Sequence, residues 1–198
     1  MAPFEGEEFF DVRMFEGEDF FDVIRVEYRK LHNGNKHGLY HEWHENEQLH
    51  LRCIYVSGRK HGLLEQWYKD GQLRVKCNYA NGKKDGQEME WHENGEILSS
   101  CNYVNGRRCG LLQEWYENGQ LRKRCDYVDG SQHGTYEEWH KNGQLQEKGN
   151  YRDGLAEGIY ERWHQNGQLK QKCNYVNGRR VGLFQRWDKN GELIKEEP

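Results

Sequence analysis

The stretch YVNGRRCGLLQEWYENGQLRKRCDY, from Tyr103 to Tyr127, recurs along most of the chain with a period of 24 residues. Two of its glycines, Gly106 and Gly110, have counterparts at the same step in all seven copies. All seven tryptophans of the protein also fall on this period, at Trp43, Trp67, Trp91, Trp115, Trp139, Trp163 and Trp187. Seven copies in one phase indicate a repeat protein built from a single supersecondary unit.

The composition limits the kind of core that the protein can form. Of its 198 residues, 34% are hydrophobic and 31% are charged. A thick core between two layers needs more apolar residues than this, so the apolar side chains must be concentrated at a few repeat positions. The composition therefore favours a thin, elongated sheet over a globule.

The charge is distributed unevenly between the start of the chain and the repeats. Residues 1–24 contain eight acidic residues against the single Arg13, whereas the whole chain has a net charge of -4. No apolar run approaches the roughly 18 to 20 residues that span a bilayer. The acidic start also lacks the basic and apolar regions of a signal peptide. We therefore expect an intracellular, cytoplasmic protein without a transmembrane segment.

Five of the six cysteines share one repeat position, at Cys53, Cys77, Cys101, Cys125 and Cys173. Counterparts two strands apart are separated by about 9.5 Å, whereas a disulfide requires Cα atoms within roughly 7 Å. We therefore predict free, buried thiols that act as small hydrophobic residues. Six unpaired cysteines are typical of an intracellular protein and not of a secreted one.

The N-terminal segment contains a separate tandem duplication. FEGEEFFDVRM at Phe4–Met14 is followed directly by FEGEDFFDVIR at Phe15–Arg25. Its acidic residues alternate with four phenylalanines, Phe9, Phe10, Phe20 and Phe21. The segment, residues 1–30, is either a cap on the first repeat or an acidic, aromatic segment that docks on a partner. We expect a cap or local strand for the second copy and a mobile tail for the first.

Each repeat, within residues 31–198, reads as a β-hairpin. One strand has Leu111, Gln113 and Trp115 on one face, and the next is predicted to have Leu121, Lys123, Cys125 and Tyr127 on one face. If Trp115 lies opposite Leu121, the loop is residues 117–119, a type I turn closed by a left-handed glycine. Apolar patterning selects this three-residue loop over a two-residue one.

The second connection of each repeat, Tyr103–Gly110, is expected to be longer and to return the chain antiparallel to the next strand. The prolines are confined to Pro3 and Pro198, which agrees with uninterrupted strand pairing. No stretch shows helical spacing. The fold class is therefore all-β, a single twisted antiparallel meander of about 14 strands built from seven tandem hairpins.

The unit YxxGxxxGxxxxWxxNGxL, present as YVSGRKHGLLEQWYKDGQL at Tyr55–Leu73, resembles the variant form of the MORN repeat. The resemblance covers residues 31–198. Three positions depart from the pattern, where Glu47 replaces the hairpin glycine, Asp70 replaces asparagine and Leu31 replaces tyrosine. The resemblance implies an elongated sheet of hairpins that serves as an interaction scaffold.

The same resemblance implies further possibilities for function. Some proteins of this type are attributed phospholipid binding, some bacterial ones are antitoxin components, and long arrays occur in large DNA viruses. The resemblance supplies no catalytic activity. The chain itself shows no nucleophile elbow, phosphate loop, HExxH or CxxC motif, so we expect no enzyme and no cofactor.

The histidines that follow tryptophan, His44, His92, His140 and His164, suggest a metal site at first sight. Counterparts in adjacent repeats lie about 9.5 Å apart, whereas zinc holds each nitrogen at about 2.1 Å. This spacing therefore argues against a metal ion shared by these histidines. We expect half-exposed aromatic rings that shield the hairpin turns, and we predict no metal ligands.

Basic pairs recur in the longer loops and are the main candidates for partner binding, together with the four phenylalanines. The pairs are Arg59 and Lys60, Lys83 and Lys84, Arg107 and Arg108, and Arg179 and Arg180. They should line one edge of the sheet, where they protect it from aggregation or attract an acidic protein, a nucleic acid or an anionic lipid. Cations on the outer strands, Arg74, Lys76, Arg122, Arg124, Lys170 and Lys172, would extend them into a stripe. Glu114 is expected to oppose Arg122.

The tryptophans are predicted to be structural, each packing on the aliphatic residue across its hairpin, from Leu49 to Leu193. The sequence thus predicts a non-enzymatic scaffold or adaptor for protein partners. This prediction includes a component of a large complex or of a virus particle. The alternatives are binding of anionic phospholipid or nucleic acid through the basic loops, and an antitoxin-like binding protein.

Overall fold

The computed structural model of the protein describes residues 7–13 and 23–198, with the side chains of residues 26–198. The described chain contains 16 strands and no helix. The described residues form two compact units, one that ends at residue 95 and one that begins at residue 96. The first contains β1 Glu7–Arg13, β2 Val23–Leu31, β3 Lys36–His44, β4 Leu49–Val56, β5 Arg59–Trp67, β6 Leu73–Ala80 and β7 Lys83–Trp91. The second contains β8 Ile97–Val104, β9 Arg107–Trp115, β10 Leu121–Val128, β11 Ser131–Trp139, β12 Leu145–Arg152, β13 Leu155–Trp163, β14 Leu169–Val176, β15 Arg179–Trp187 and β16 Leu193–Glu197.

Within each unit, every strand pairs antiparallel with the next one along the chain, as β3 pairs with β4 and β9 with β10. The predicted all-β meander of hairpin repeats is confirmed. The described chain has 16 strands rather than about 14 because β1 and β2 precede the seven hairpins.

The hairpin loop has the predicted geometry. Trp115 pairs with Leu121, the Tyr116 N–H donates to the Gln120 carbonyl at 2.9 Å, and the Gly119 N–H donates to the Tyr116 carbonyl at 2.9 Å. Gly119 has a φ of 77°, which is cheap only for glycine. The loop is therefore the three-residue turn at residues 117–119.

Glu47 adopts the glycine conformation in the first hairpin. Its φ is 62°, and its N–H donates to the His44 carbonyl at 3.0 Å, as the glycines of the other loops do. The neighbouring pairing of Trp43 with Leu49 is kept. The turn is therefore intact although glutamate replaces glycine at this position. The left-handed backbone conformation is less favourable for a residue with a side chain than for glycine.

The second connection is shorter than expected. Val104 pairs with Arg107, so only Asn105 and Gly106 form the turn, with φ values of 51° and 83°. Two consecutive left-handed residues are the mark of a type I′ turn, whose twist matches that of the flanking strands. The equivalent turn of the next repeat is tied to β9, because the Gly130 N–H donates to the Arg108 carbonyl at 2.9 Å.

A β-bulge in each hairpin changes the face on which the following residues lie. Trp115 pairs with Leu121, but Glu114 pairs with Lys123, so Arg122 is an extra residue in β10. An extra residue reverses the alternation of the side chains that follow it. The expectation that Leu121 and Cys125 share one face is therefore wrong. The sheet of each unit has a tryptophan face and, opposite to it, a cysteine face.

The cysteine face carries the buried core. Cys53, Cys77 and Cys125 are each less than 3% exposed. In the first unit Tyr40, Leu51 and Leu64 are buried around the thiols, with partly buried tyrosines packed on them. All six cysteines are free, and burial raises the pKa of both Cys53 and Cys77 to about 11. The predicted buried thiols are confirmed at the shared position, whereas Cys109 is only half-buried.

The first copy of the N-terminal duplication forms strand β1. It pairs with β2 from Glu7 opposite Leu31 to Arg13 opposite Arg25. The expected mobile tail is therefore wrong for residues 7–13, because the outer edge of β2 offers unpaired backbone groups to which a strand can bond. Of the four candidate phenylalanines, Phe9 and Phe10 lie in β1. Phe20 and Phe21 lie outside the described residues.

Candidate interaction surfaces

In five repeats, the residue after the tryptophan forms a hydrogen bond to the next repeat. In the first unit, His44 Nε2 lies 3.0 Å from the Trp67 carbonyl oxygen, and the Tyr68 hydroxyl donates to the Trp91 carbonyl at 2.6 Å. The same contact occurs in the second unit, from Tyr116 to Trp139 at 2.7 Å, from His140 to Trp163 at 3.1 Å and from His164 to Trp187 at 3.1 Å. We call these contacts the carbonyl ladder. Within each unit, they join a hairpin to the one that follows it.

The carbonyl ladder gives these residues a contact that was not expected from the sequence. His44 is buried, whereas His92, His140 and His164 are half-exposed as predicted. Six of the seven repeats have histidine or tyrosine at this position, and both can donate a hydrogen bond. Among the described residues, no group of three or more His, Cys, Asp or Glu side chains is arranged to hold a metal ion.

The hairpin asparagines add a second connection between repeats. The Asn46 amide donates to the Lys69 carbonyl at 2.7 Å, and the Asn142 amide donates to the Gln165 carbonyl at 2.6 Å. The same side chains accept from the backbone of their own loop through Oδ1. An asparagine here therefore both shapes its turn and bonds to the neighbouring hairpin.

The tryptophan face contains half-buried tryptophans and a row of ion pairs. All seven tryptophans are half-buried, and the described pairings place Trp43, Trp67, Trp115, Trp139, Trp163 and Trp187 opposite the predicted leucines. The buried Glu137 carboxylate lies between Arg124 and Lys148, with Lys148 Nζ at 3.2 Å. Burial opposes ionisation, but these two cations hold the pKa of Glu137 below its ordinary value.

Most outer-strand cations are neutralised by these pairs. Of the six that would form a basic stripe, four lie in ion pairs, Lys76 with Glu65, Arg122 with Glu114, Arg124 with Glu137, and Lys172 with Glu161. The expected contact between Glu114 and Arg122 exists as an ion pair, although the backbone partner of Glu114 is Lys123. The outer strands therefore do not present an uninterrupted row of free positive charges.

The basic pairs divide between the two faces, because neighbouring residues of a strand point to opposite sides. The first members, Arg59, Lys83, Arg107 and Arg179, are exposed on the tryptophan face. The second members turn to the cysteine face. Lys60 Nζ lies 5.5 Å from the Tyr79 ring, Arg108 lies 5.5 Å from the Tyr127 ring, and Arg180 lies 4.6 Å from the Phe184 ring. Lys84 is paired with Glu88.

Exposed aliphatic side chains lie on the tryptophan face near the first members of the basic pairs. Leu63 is 37% exposed and Leu111 is 40% exposed, and both lie four residues before a tryptophan. Val56 and Val104 are 43% and 53% exposed and pair directly with Arg59 and Arg107. We call these side chains the aliphatic row of each unit, with Leu39, Val56 and Leu63 in the first unit and Val104, Leu111, Val128, Ile159, Val176 and Leu183 in the second. Alternation alone predicts that Leu111 shares a face with Trp115, but the valines could not be assigned to that face from the sequence, because the bulge decides the face of the second strand.

On the cysteine face, tyrosine rings surround a lysine. Lys36 Nζ lies 4.0 Å from the Tyr40 ring centroid, 4.9 Å from that of Tyr28 and 5.3 Å from that of Tyr55. Burial lowers the pKa of Lys36, while the Glu42 carboxylate acts in the opposite direction. Such cation–π contacts stabilise a lysine whose ammonium is partly removed from water.

The pairing, turns and carbonyl ladder define a protein of tandem β-hairpin repeats. The profile of one family, described as the MORN repeat variant, matches residues 60–81, 84–105, 108–129, 132–153 and 156–177. These five matches cover more than half of the chain, and the protein therefore belongs to the MORN repeat variant family. No curated protein matches it.

MORN repeats are generally associated with binding of proteins or membrane lipids, and the repeat type is not enzymatic. In the part of the chain that the structure describes, no helix is long and apolar enough to cross a membrane. The chain is built from a repeat type that is associated with such binding.

Proposed function

We propose that the chain is a non-enzymatic scaffold or adaptor that binds an acidic surface of a partner protein through its tryptophan face. The observation that carries the proposal is the aliphatic row beside exposed arginines. Val56 and Val104 are more than 40% exposed, and each lies directly across the strand pair from an arginine, Arg59 or Arg107.

This mixture of side chains fits a protein partner. Protein interfaces combine apolar contact area with arginine, which is enriched at their energetic centres. The exposed leucines and valines recur at repeat positions and are not scattered singly, as unexplained surface hydrophobics usually are. Of the arginines beside them, Arg107 forms an exposed ion pair with Asp129 at 2.7 Å, a contact that costs little to exchange for a partner's carboxylate.

Binding of anionic phospholipid or nucleic acid through the basic loops is the alternative function. A phosphate-binding surface gains most from many free cations on one side. Here the basic pairs point to two faces, and the outer-strand cations Arg124 and Lys172 already have carboxylate partners. These observations favour a protein partner over a polyphosphate.

The scaffold proposal includes a role as a component of a large complex, such as a virus particle, and an antitoxin-like role in which the bound protein is a toxin. The protein is proposed to act inside the cell, in agreement with its free cysteines. None of these roles requires chemistry at the surface, because rigid hairpins need only hold the binding residues in register.

The experiment introduces a photo-crosslinking amino acid at Leu63 or at Leu111 in cells of the native source. The partner protein identified by the crosslink is then purified, and its affinity for the chain is measured by calorimetry. We expect Leu63→Glu together with Leu111→Glu to weaken binding at least tenfold. The matched control Gln165→Glu adds a negative charge in an exposed hairpin loop and should leave the affinity unchanged.

Two further arms separate the alternatives. Vesicles containing phosphatidylserine and a single-stranded oligonucleotide are tested at low and high salt, because binding through phosphates falls steeply with salt. Phe9→Ala with Phe10→Ala, and Phe20→Ala with Phe21→Ala, test the N-terminal segment. If the Leu63→Glu, Leu111→Glu variant binds the partner with unchanged affinity, the proposed surface is wrong. If only the phenylalanine variants lose affinity for the partner, the N-terminal segment is the docking element.

A further inference from the structure

The first hairpin has a second histidine beside the one in the carbonyl ladder. His50 Nδ1 lies 3.1 Å from His44 Nε2, and the same His44 nitrogen lies 3.0 Å from the Trp67 carbonyl oxygen. His140 and His164 form the ladder contact without such a neighbour, because other residue types occupy the position of His50 in the remaining repeats. Those residues are Arg74, Leu98, Arg122, Gln146, Lys170 and Ile194.

One proton cannot satisfy both contacts of His44 Nε2 well. A neutral imidazole nitrogen is either a donor or an acceptor, so an Nε2–H that donates to the Trp67 carbonyl cannot accept a hydrogen bond from His50. The two rings are inclined by 71° with centroids only 4.4 Å apart. The two rings therefore lie side by side. A linear N–H···N bond would require them to meet end to end.

We propose that His44 Nε2 and His50 Nδ1, together with the Trp67 carbonyl oxygen, form a binding site for a divalent transition metal ion of the zinc or copper class. Two nitrogen ligands held at about 2.1 Å from a tetrahedral ion are separated by about 3.4 Å. The observed nitrogen separation of 3.1 Å needs only a small adjustment to reach that value.

The donor types match this class of metal. Imidazole nitrogens suit zinc, copper and nickel, whereas calcium and magnesium require oxygen donors. The metal ion would replace the proton between His44 and the Trp67 carbonyl, so the contact between the two repeats would be kept. His44 is buried, and its Nδ1 has no hydrogen-bond partner among the described residues, so it lacks the outer contact that usually strengthens a histidine ligand.

Burial and the neighbouring His44 lower the pKa of His50, while Glu42 acts in the opposite direction. The neutral imidazole, which is the form that binds a metal ion, is therefore favoured at His50. With three protein donors, the remaining coordination positions are left for water or for a donor from a bound partner. The inference does not depend on the proposed function, because binding of the ion can be measured on the isolated chain.

The test titrates the full chain with zinc chloride by calorimetry and with copper(II) by quenching of tryptophan fluorescence. We expect one equivalent of metal ion to bind to the site. His44→Tyr and His50→Arg should each weaken that binding at least tenfold. Tyrosine and arginine occupy these two positions in the second hairpin, as Tyr68 and Arg74, so the variants keep side chains that the fold already uses.

Two controls make the result specific. His140→Tyr removes a ladder histidine that has no neighbouring histidine, and it should leave the first equivalent unchanged. Gln146→His places a histidine beside His140 and should add a second equivalent, a gain that loss of folding cannot imitate. Unchanged binding in the His44→Tyr, His50→Arg double variant would overturn the proposal, as would equal weakening by His140→Tyr.

Discussion

The ring of Tyr160 occupies the space that a side chain at Gly149 would need. A Cβ at Gly149 would overlap the Cδ2 and Cε2 atoms of that ring. Gly149 lies at the position where five other repeats have a buried cysteine. In the orientation that the Tyr160 ring adopts, this position therefore has room only for glycine.

Restoring the cysteine at this position should consequently destabilise the protein. We expect Gly149→Cys to lower the free energy of unfolding by about 2 kcal/mol, since overpacking forces a well-packed core to shift. Chemical denaturation measures the change. Adding Tyr160→Leu should recover most of the loss, because Leu64 and Leu112 occupy the position of Tyr160 in the repeats where Cys53 and Cys101 occupy that of Gly149. A single variant as stable as the natural chain would refute this account.

Replacing the left-handed glutamate of the first hairpin should stabilise the protein. Glu47 has a φ of 62°, a conformation that costs a residue with a side chain about 1 kcal/mol relative to glycine. Glu47→Gly should therefore raise the free energy of unfolding by up to about 1 kcal/mol. The control Glu45→Gly, in the same exposed loop, should lower it slightly through the entropy of the unfolded chain. Equal effects of the two variants would contradict the prediction.

The carbonyl ladder should contribute measurably to stability. Tyr116→Phe and His140→Phe each remove the donor to a tryptophan carbonyl and should cost about 1 kcal/mol, the net value of one hydrogen bond. The exchanges Tyr116→His and His140→Tyr keep a donor at the same place and should cost less than half as much. Thermal unfolding distinguishes the two sets. If both sets lose the same stability, packing of the ring and not its hydrogen bond joins the repeats.

Glu88 is a buried carboxylate at a position where the other repeats have leucine, tyrosine or phenylalanine, and it is paired with Lys84. Replacing a buried ion pair by apolar residues is often neutral or stabilising, whereas removing one partner strands the other charge. We expect Lys84→Ala to cost about 2 kcal/mol and Glu88→Leu to cost nothing or to stabilise. The double variant should be as stable as Glu88→Leu. If the double variant instead loses as much stability as Lys84→Ala, the ion pair with Glu88 does not explain the effect of Lys84→Ala.

The thiols should differ sharply in reactivity. Burial raises the pKa of Cys53 and Cys77 to about 11, so at pH 8 they are almost entirely protonated and unreactive. Ellman's reagent should therefore modify Cys109 first in the folded protein and all six thiols after denaturation. Cys109→Ser should remove the fast phase. If Ellman's reagent rapidly modifies more than one thiol of the folded Cys109→Ser variant, the cysteine face opens readily.

Much of the fold could be predicted from local sequence signals. Asn118 and Gly119 determine the hairpin loop, and alternation places Trp115 opposite Leu121, as the structure confirms. The N-terminal duplication was less predictable. The pairing of β1 with β2 depends on an edge that only the assembled sheet provides, so the first copy could not be recognised as a strand from its acidic composition.

The candidate surfaces were only partly predictable. The basic pairs are visible in the sequence, but their division between two faces and the ion pairs of Arg124 and Lys172 follow from strand pairing. The adjacency of His44 and His50 was equally hidden, since residues six apart across a bulged hairpin have no fixed separation in the sequence alone.

By itself, the sequence determined the period, the hairpins, the free buried thiols and the repeat family, because each rests on a local pattern repeated seven times. Only the tertiary structure decided which residues share a face. The bulge at Arg122 places Trp115 and Cys125 on opposite sides. A bulge leaves no mark in composition, because it depends on how two strands pair and not on the residues of either strand alone.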